Sequence, residues 1–526
     1  MGRLIGTSTQ YSFLPGHNFQ NGYSYDAASN RTSLTAPDGS TNSYQYDSLN
    51  RLATLTNSLT GQFGFGYDAL SRRTQLTRPN GVNTNYAYDS VSRLLSVLHQ
   101  AGSATLDGAS YGYDYAGNRT SKTNYLNGIT SNYAYDAIYE LQQVTQGGST
   151  TESYSYDAVG NRLSSSGVPT YSYNPSNELT STSSGSYTYD ANGNTLSDAS
   201  GRTFTWDFEN RLTQAVVPGT NGGTTTFKYD PFGRRIQKAG PLGTTNYLYD
   251  GMGAQGNVIE EVDSTGNVLA RFTQGTSVDE PLAQLRGSTT SYYQQDAIGS
   301  VTALGSSTGT LANTYTYDSF GNITASLGSI TNPFRYTGRH FDPETGIYNY
   351  RARYYDQSAG RFVSEDPMRF AAGYNFYTYV ANDPVMLVDP TGLKCCDPNA
   401  ERADIERSAD FARNAINTLT SGGFITGATH VGGETFCIVN TLRLPNGQVF
   451  QDRQYDIDIQ MDKDKHPCLY ECALHHELVH RRQCMTFGPI FNKLSHRESE
   501  VPAYMMELGC YLRQMMAGGF GPYGSN

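Results

Sequence analysis

The chain has 526 residues, enough for two or more domains with cores of their own. Only 16% of residues are charged and 12% are aromatic, with 55 glycines and 41 tyrosines, a composition that argues against a mainly helical enzyme and for β structure. The formal net charge is −11, with 24 basic and 32 acidic residues through Leu393 and 13 and 16 beyond it, so neither part forms a basic surface and no nucleic-acid partner is expected.

The N-terminal Met-Gly-Arg-Leu-Ile-Gly-Thr lacks the apolar h-region of a signal peptide, and no run approaches the roughly 20 apolar residues of a membrane span. Export is therefore expected by a route that needs no classical signal. The chain opens directly into repeats, as the C-terminal part of a longer protein would.

Residues 1–330 are self-similar. Tyr-Asp pairs begin at Tyr25, Tyr46, Tyr67, Tyr88, Tyr113, Tyr135, Tyr156, Tyr189, Tyr229, Tyr249 and Tyr317, with early spacings of 21, 21, 21, 25, 22 and 21. A typical unit, Tyr154-Ser-Tyr-Asp-Ala-Val-Gly-Asn-Arg-Leu163, alternates aromatic and small residues, turns at Asp and Gly-Asn, and leaves through Arg-Leu. Period-2 alternation buries one face of a strand, and the Asp-x-x-Gly-Asn segment supplies a turn that tolerates positive φ. Each repeat is thus a β-hairpin that must stack on its neighbours to bury its face. The tyrosines read as packing residues without chemistry of their own.

The pattern resembles the YD-repeat (Rhs) family. The resemblance implies a mainly β fold in which hairpins spiral into a hollow shell or cocoon, as in Rhs effectors, the C components of insecticidal toxin complexes and teneurins. Residues 331–393 break the spacing with Phe341-Asp-Pro-Glu-Thr-Gly346, Tyr350-Arg-Ala-Arg-Tyr-Tyr-Asp356, Gly360-Arg-Phe-Val-Ser-Glu-Asp-Pro367 and Asp389-Pro-Thr-Gly-Leu393, and resemble the Rhs-associated core that plugs one end of the shell. The same resemblance implies self-cleavage between Leu393 and Lys394, with Asp366 and Asp389 as an aspartyl-protease-like pair. Two carboxylates sharing a proton provide one base for water and one acid for the leaving amine. Arg361 is a candidate to hold the pair or the carbonyl. From residue types alone, both Asp-Pro pairs would be turns.

Composition changes at the same place: all seven cysteines and six of the nine histidines follow it. Residues 394–526 read as a small α+β, zincin-like domain. The expected helices are Ala400–Leu419, Cys472–Cys484 and Glu500–Met516, with a hairpin from Thr435 through Pro445-Asn-Gly to Ile459. In His475-His-Glu-Leu-Val-His480, His476 and His480 lie on one helical face and can grip Zn²⁺, with Glu477 placed to take a proton from metal-bound water.

A third ligand is required. Glu500 resembles the second-helix glutamate of thermolysin-like gluzincins, with Glu498, His496 and Glu507 as alternatives, and Tyr504 either donates to an oxyanion or packs. Cys395, Cys396, Cys437, Cys468, Cys472, Cys484 and Cys510 are candidates for disulfides formed in an oxidising destination such as a periplasm, or else buried thiols.

The combined expectation is a polymorphic toxin: a repeat shell enclosing a zinc metallopeptidase that acts on protein or peptide in a target cell. A cognate immunity protein and a secretion or toxin-complex component would be its partners. The alternatives are a teneurin-like adhesion shell with an inert tail, and a toxin whose tail is a nuclease with a structural metal site.

Overall fold

Each Tyr-Asp pair closes one strand and opens a turn, and three side chains fix how that turn joins the next. In the repeat at Tyr67, Asp68 Oδ1 accepts the N–H groups of Leu70 (3.0 Å) and Arg72 (2.9 Å), while Oδ2 accepts Arg72 Nε at 2.7 Å. Ser71 takes the left-handed position at φ 62°. Arg72 then donates to the carbonyl of Asp89 in the next turn (2.9 Å) and lies 4.8 Å from the Tyr88 ring centroid. Tyr88 donates its hydroxyl back to the carbonyl of Arg73 at 3.0 Å. The same set recurs at Asp47, Arg51 and Tyr67, and at Asp89, Arg93 and Tyr113. The tyrosines therefore pack and also staple one hairpin to the one before it.

The computed structural model describes residues 3–220, 222–251, 256–369 and 374–393, together with the backbone of strands Gly433–Arg443 and Val449–Ile459. Two compact units result, Met1–Cys395 with Tyr523–Asn526, and Cys396–Pro522. In the first unit a fifteen-stranded antiparallel sheet runs from Gly6–Thr9 to Arg162–Ser165 in strict chain order. A three-stranded sheet follows, then a fourteen-stranded one from Thr188–Tyr189 to Ile323–Leu327, again in chain order. The register shifts where the tyrosine of a Tyr-Asp pair is reached, as between Gly66 and Tyr67, so each turn begins from a bulge.

The two long sheets share a core in which Tyr23, Leu34, Leu55 and Phe63 meet Ile259, Leu282 and Tyr292. Polar ties cross the same boundary, including Arg31 to Asp250 at 2.6 Å and the hydroxyls of Thr60 and Thr273 at 2.8 Å.

Residues 331–393 form a four-stranded sheet, His340–Asp342, Ile347–Tyr350, Arg353–Asp356 and Arg361–Phe362, around a tyrosine-rich core of Tyr336, Tyr348, Tyr350, Tyr355 and Tyr379. This segment is anchored to the repeat turns. Tyr377 donates to Gly193 O at 2.8 Å, Arg361 to Asn177 O at 2.6 Å, and Asn382 to both Glu140 Oε1 and Gly160 O at 2.8 Å. Among the described residues there is no α-helix, and no helix is long and apolar enough to cross a membrane.

The second unit contains the antiparallel pair Gly433–Arg443 and Val449–Ile459, the hairpin expected from the Pro-Asn-Gly turn. The three helices expected in the tail lie outside the described residues.

Glu140 departs from the repeat logic. It sits four residues past Asp136, where Asp47, Asp68 and Asp89 have an arginine partner. Burial, with Asp136 and Asp157 close by, pushes its carboxyl up to about 7 against the pull of Asn382. A raised folded-state pKa means that this group's contribution is complete below about pH 4.5 and is lost as pH rises through about 7. Glu140→Gln is therefore expected to remove part of the stability loss between those pH values, measured by urea unfolding of both proteins. A difference between them that does not vary with pH would contradict this.

Candidate functional site

The site is built where the third strand of the small sheet, Arg353–Asp356, meets residues 389–393. Arg353 is 3% exposed and both aspartates are 2% exposed. One guanidinium nitrogen, NH2, lies 2.8 Å from Asp366 Oδ2 and 3.3 Å from Asp389 Oδ2. NH1 donates to Phe376 O at 2.9 Å and Nε donates to Gly392 O. The guanidinium stacks 3.5 Å from the centroid of Phe362, which excludes water from its remaining face. An arginine buried this deeply requires the carboxylates, and they require it.

Each aspartate also makes the turn that its Asp-Pro sequence suggests. Asp366 Oδ1 accepts Met368 N at 2.8 Å. Asp389 Oδ1 accepts the N–H groups of Thr391 (3.2 Å), Gly392 (2.8 Å) and Leu393 (3.2 Å). The turn and the pair thus use different oxygens of one carboxylate. Burial pushes the Asp389 carboxyl up, while Arg353, Arg339 and the N–H groups of Gly392 and Leu393 pull it back. Gly392 has φ 71°, and a Cβ there would stand 2.1 Å from Tyr350 O, so only glycine passes this point.

The structure therefore brings Asp366, Asp389 and Leu393 together. Arg361, the arginine considered for this place, is instead bound to Asn177 O and stacked 4.6 Å from the Tyr377 ring centroid. Arg353 does the work expected of Arg361. Its only sequence signal is its place in the Tyr350-Arg-Ala-Arg-Tyr-Tyr run, 13 residues before Asp366.

Lys394, Cys395, Cys396, Cys468, Cys472, Cys484, Cys510, His476, Glu477, His480, Glu500 and Tyr504 lie outside the described residues. The backbone at Cys437 is paired with Tyr455 in the tail hairpin. Among the described residues no group of three or more His, Cys, Asp or Glu side chains is arranged to hold a metal.

Stacked tyrosine-aspartate hairpins, closed by a tyrosine-rich segment with a buried aspartate pair, define a YD-repeat shell protein. The chain belongs to the teneurin YD-shell family, whose model matches residues 109–385. The RHS repeat model also matches residues 25–62 and 46–82. The tRNA nuclease WapA of Bacillus subtilis (strain 168) is 35% identical over 289 residues, 54% of this chain and 11% of the relative. The double-stranded DNA deaminase toxin A of Burkholderia cenocepacia (strain H111) is 27% identical over 203 residues, 32% of this chain and 14% of the relative. The chain thus spans only about a tenth of the length of these curated relatives. The crystal structure of TcdB2-TccC3 without its hypervariable C-terminal region matches with TM-score 0.61 at 22% identity, over 72% of this chain and 22% of that one, a likeness of fold.

These relatives overturn two expectations. A zinc-dependent metallopeptidase acting on protein or peptide, and the exclusion of nucleic acid, are both corrected by relatives named as a tRNA nuclease and a DNA deaminase toxin. The physical reasons are plain. Net charge sums over a domain, whereas nucleic acid is held by local clusters of lysine and arginine, which a total of −3 does not forbid. A His-Glu-x-x-His spacing describes how a metal is gripped, and the substrate is set by the pocket around it.

Arg353→Met would leave two carboxylates buried without their cation. The expected loss of stability is about 3–5 kcal/mol near pH 7. It should shrink at about pH 4, as the carboxylates take up protons. Urea unfolding at the two pH values checks this, and an equal loss at both would contradict it.

Proposed function

We propose that this chain is an Rhs-type toxin in which the YD-repeat sheets enclose a C-terminal effector acting on nucleic acid. In this reading the effector is separated from the shell by cleavage after Leu393 and delivered to a target cell. The observation that carries the cleavage is the pair Asp366 and Asp389, buried on one nitrogen of Arg353, with Asp389 also bonded to the N–H of Leu393.

The reaction is a hydrolysis. Asp366 takes a proton from a water molecule as the water oxygen adds to the Leu393 carbonyl carbon. Asp389, whose proton is favoured by burial, gives that proton to the Lys394 nitrogen as the C–N bond breaks. Arg353, bonded to Gly392 O, fixes the peptide unit that leads into Leu393.

The nucleic-acid reading is supported by the names of the relatives and takes the place of the peptidase reading. The spacing of His476, His480 and Glu500 supports a structural Zn²⁺ in the tail, which metal analysis of the full chain would test.

Asp366→Asn and Asp389→Asn should each give a single full-length band on a denaturing gel, where the unaltered chain gives two. Two bands from either variant would remove the aspartates from the reaction. Expression of the unaltered chain in a bacterial cytoplasm should arrest growth and leave cleaved or base-altered tRNA or DNA. Growth arrest with intact, unaltered nucleic acids would contradict the effector class.

A further inference from the structure

The segment before the proposed cut is gripped at three consecutive carbonyls by three consecutive residues. Arg351 NH1 donates to Pro390 O, Ala352 N to Thr391 O at 3.2 Å, and Arg353 Nε to Gly392 O. The second and third grips come from within the small sheet. The first depends on a residue far away in the chain.

Asp279 lies between the strands Val268–Gln274 and Pro281–Arg286 of the second long repeat sheet. Its φ is 59°, its N–H donates to Asn257 Oδ1 at 3.1 Å, and a Cβ on Gly338 would come within 2.8 Å of its carbonyl. The carboxylate is therefore presented from a fixed backbone. It takes Arg351 in a fork, Oδ2 to NH1 at 2.9 Å and Oδ1 to NH2 at 2.8 Å, and also pairs with Arg339 at 2.6 Å. A forked arginine has little rotamer freedom left, and NH1 retains a hydrogen for Pro390 O.

We propose that Asp279 is a positioning residue for the self-cleavage: through Arg351 it fixes the Pro390 carbonyl and so the register of Leu393 against Asp366 and Asp389. This rests on the self-cleavage reading given above. Its consequence is an order of events. The aspartate pair is held by Arg353 of the small sheet, whereas the first grip forms only when the repeat strands flanking Asp279 have folded against it. Cleavage therefore waits for that part of the repeat sheet, and the tail is not released from a half-built shell.

A role limited to neutralising buried arginines would move stability and leave the rate in folded molecules alone. The test uses the full chain, refolded from denaturant, with fragment appearance scored only in the trypsin-resistant, folded population. Arg351→Ala leaves the Asp279–Arg339 pair intact, and Asp279→Asn keeps the shape of the side chain.

Each substitution should slow cleavage by about 10- to 100-fold, the scale of a misplacement of about 1 Å. The double variant should be no slower than Arg351→Ala, because both act through one grip. Arg351→Lys should fall between, since an ammonium reaches the carbonyl without the fork. Should Asp279→Asn fail to fold, Arg351→Ala and Arg351→Lys still decide the matter.

Cleavage of folded Arg351→Ala at the unaltered rate would overturn the proposal. Asp389→Asn run in parallel separates the two levels. If it is also cut, the self-cleavage reading itself fails. If it stays whole while Arg351→Ala is cut normally, only the positioning role fails.

Discussion

A buried guanidinium is the constraint on which the end of this structure depends. Arg353 cannot return to water, because Phe362 covers it and four acceptors surround it: Asp366, Asp389, Phe376 O and Gly392 O. Arg353 carries one charge to the two carboxylates it touches, and Arg339 adds its field at Asp389. Burial outweighs these pulls and shifts the Asp389 carboxyl upward. The side chains that hold this segment together are the same three that the proposed self-cleavage draws on. The backbone N–H groups of Gly392 and Leu393 hold residues 389–393 onto that centre.

The repeats solve a different problem by local means. A hairpin with one apolar face is unstable alone, and here each turn carries its own connector to the next. Asp68 folds its turn, Arg72 reaches the following one, and Tyr88 reaches back. Such ties span about one repeat and can propagate along any number of hairpins. The terminal segment is held by contacts of another kind, between residues far apart in the chain: Arg361 with Asn177, Tyr377 with Gly193 and Asn382 with Glu140. These join the segment's loops to repeat turns, so the segment's geometry is set by the finished sheet.

This difference explains what could be read from the chain. The hairpins were legible because their determinants recur every 21 or so residues in fixed order. The tail hairpin was legible from one Pro-Asn-Gly turn between β-favouring runs. Asp366 and Asp389 were legible only through the Rhs resemblance, since an Asp-Pro pair by itself indicates a turn, and both do make turns.

Arg353 was missed in favour of Arg361, because nothing local distinguishes the two. One falls on Phe362 and the aspartates, the other on Tyr377 and Asn177, and the packing of separate strands decides which. Asp279 was invisible for the same reason, being 72 residues from Arg351. The tail's substrate class was misjudged because a metal-gripping motif and a summed charge carry little information about what a pocket admits.

In the proposed reaction the Leu393–Lys394 bond is hydrolysed by this buried pair. Refolding the chain in ¹⁸O-labelled water and weighing the fragments tests it most directly. Hydrolysis at this bond gives an N-terminal fragment ending at Leu393 with one labelled oxygen in its terminal carboxyl, and a tail beginning at Lys394 without label. An uncut chain, a break at another bond, or a Leu393 terminus free of label would contradict it.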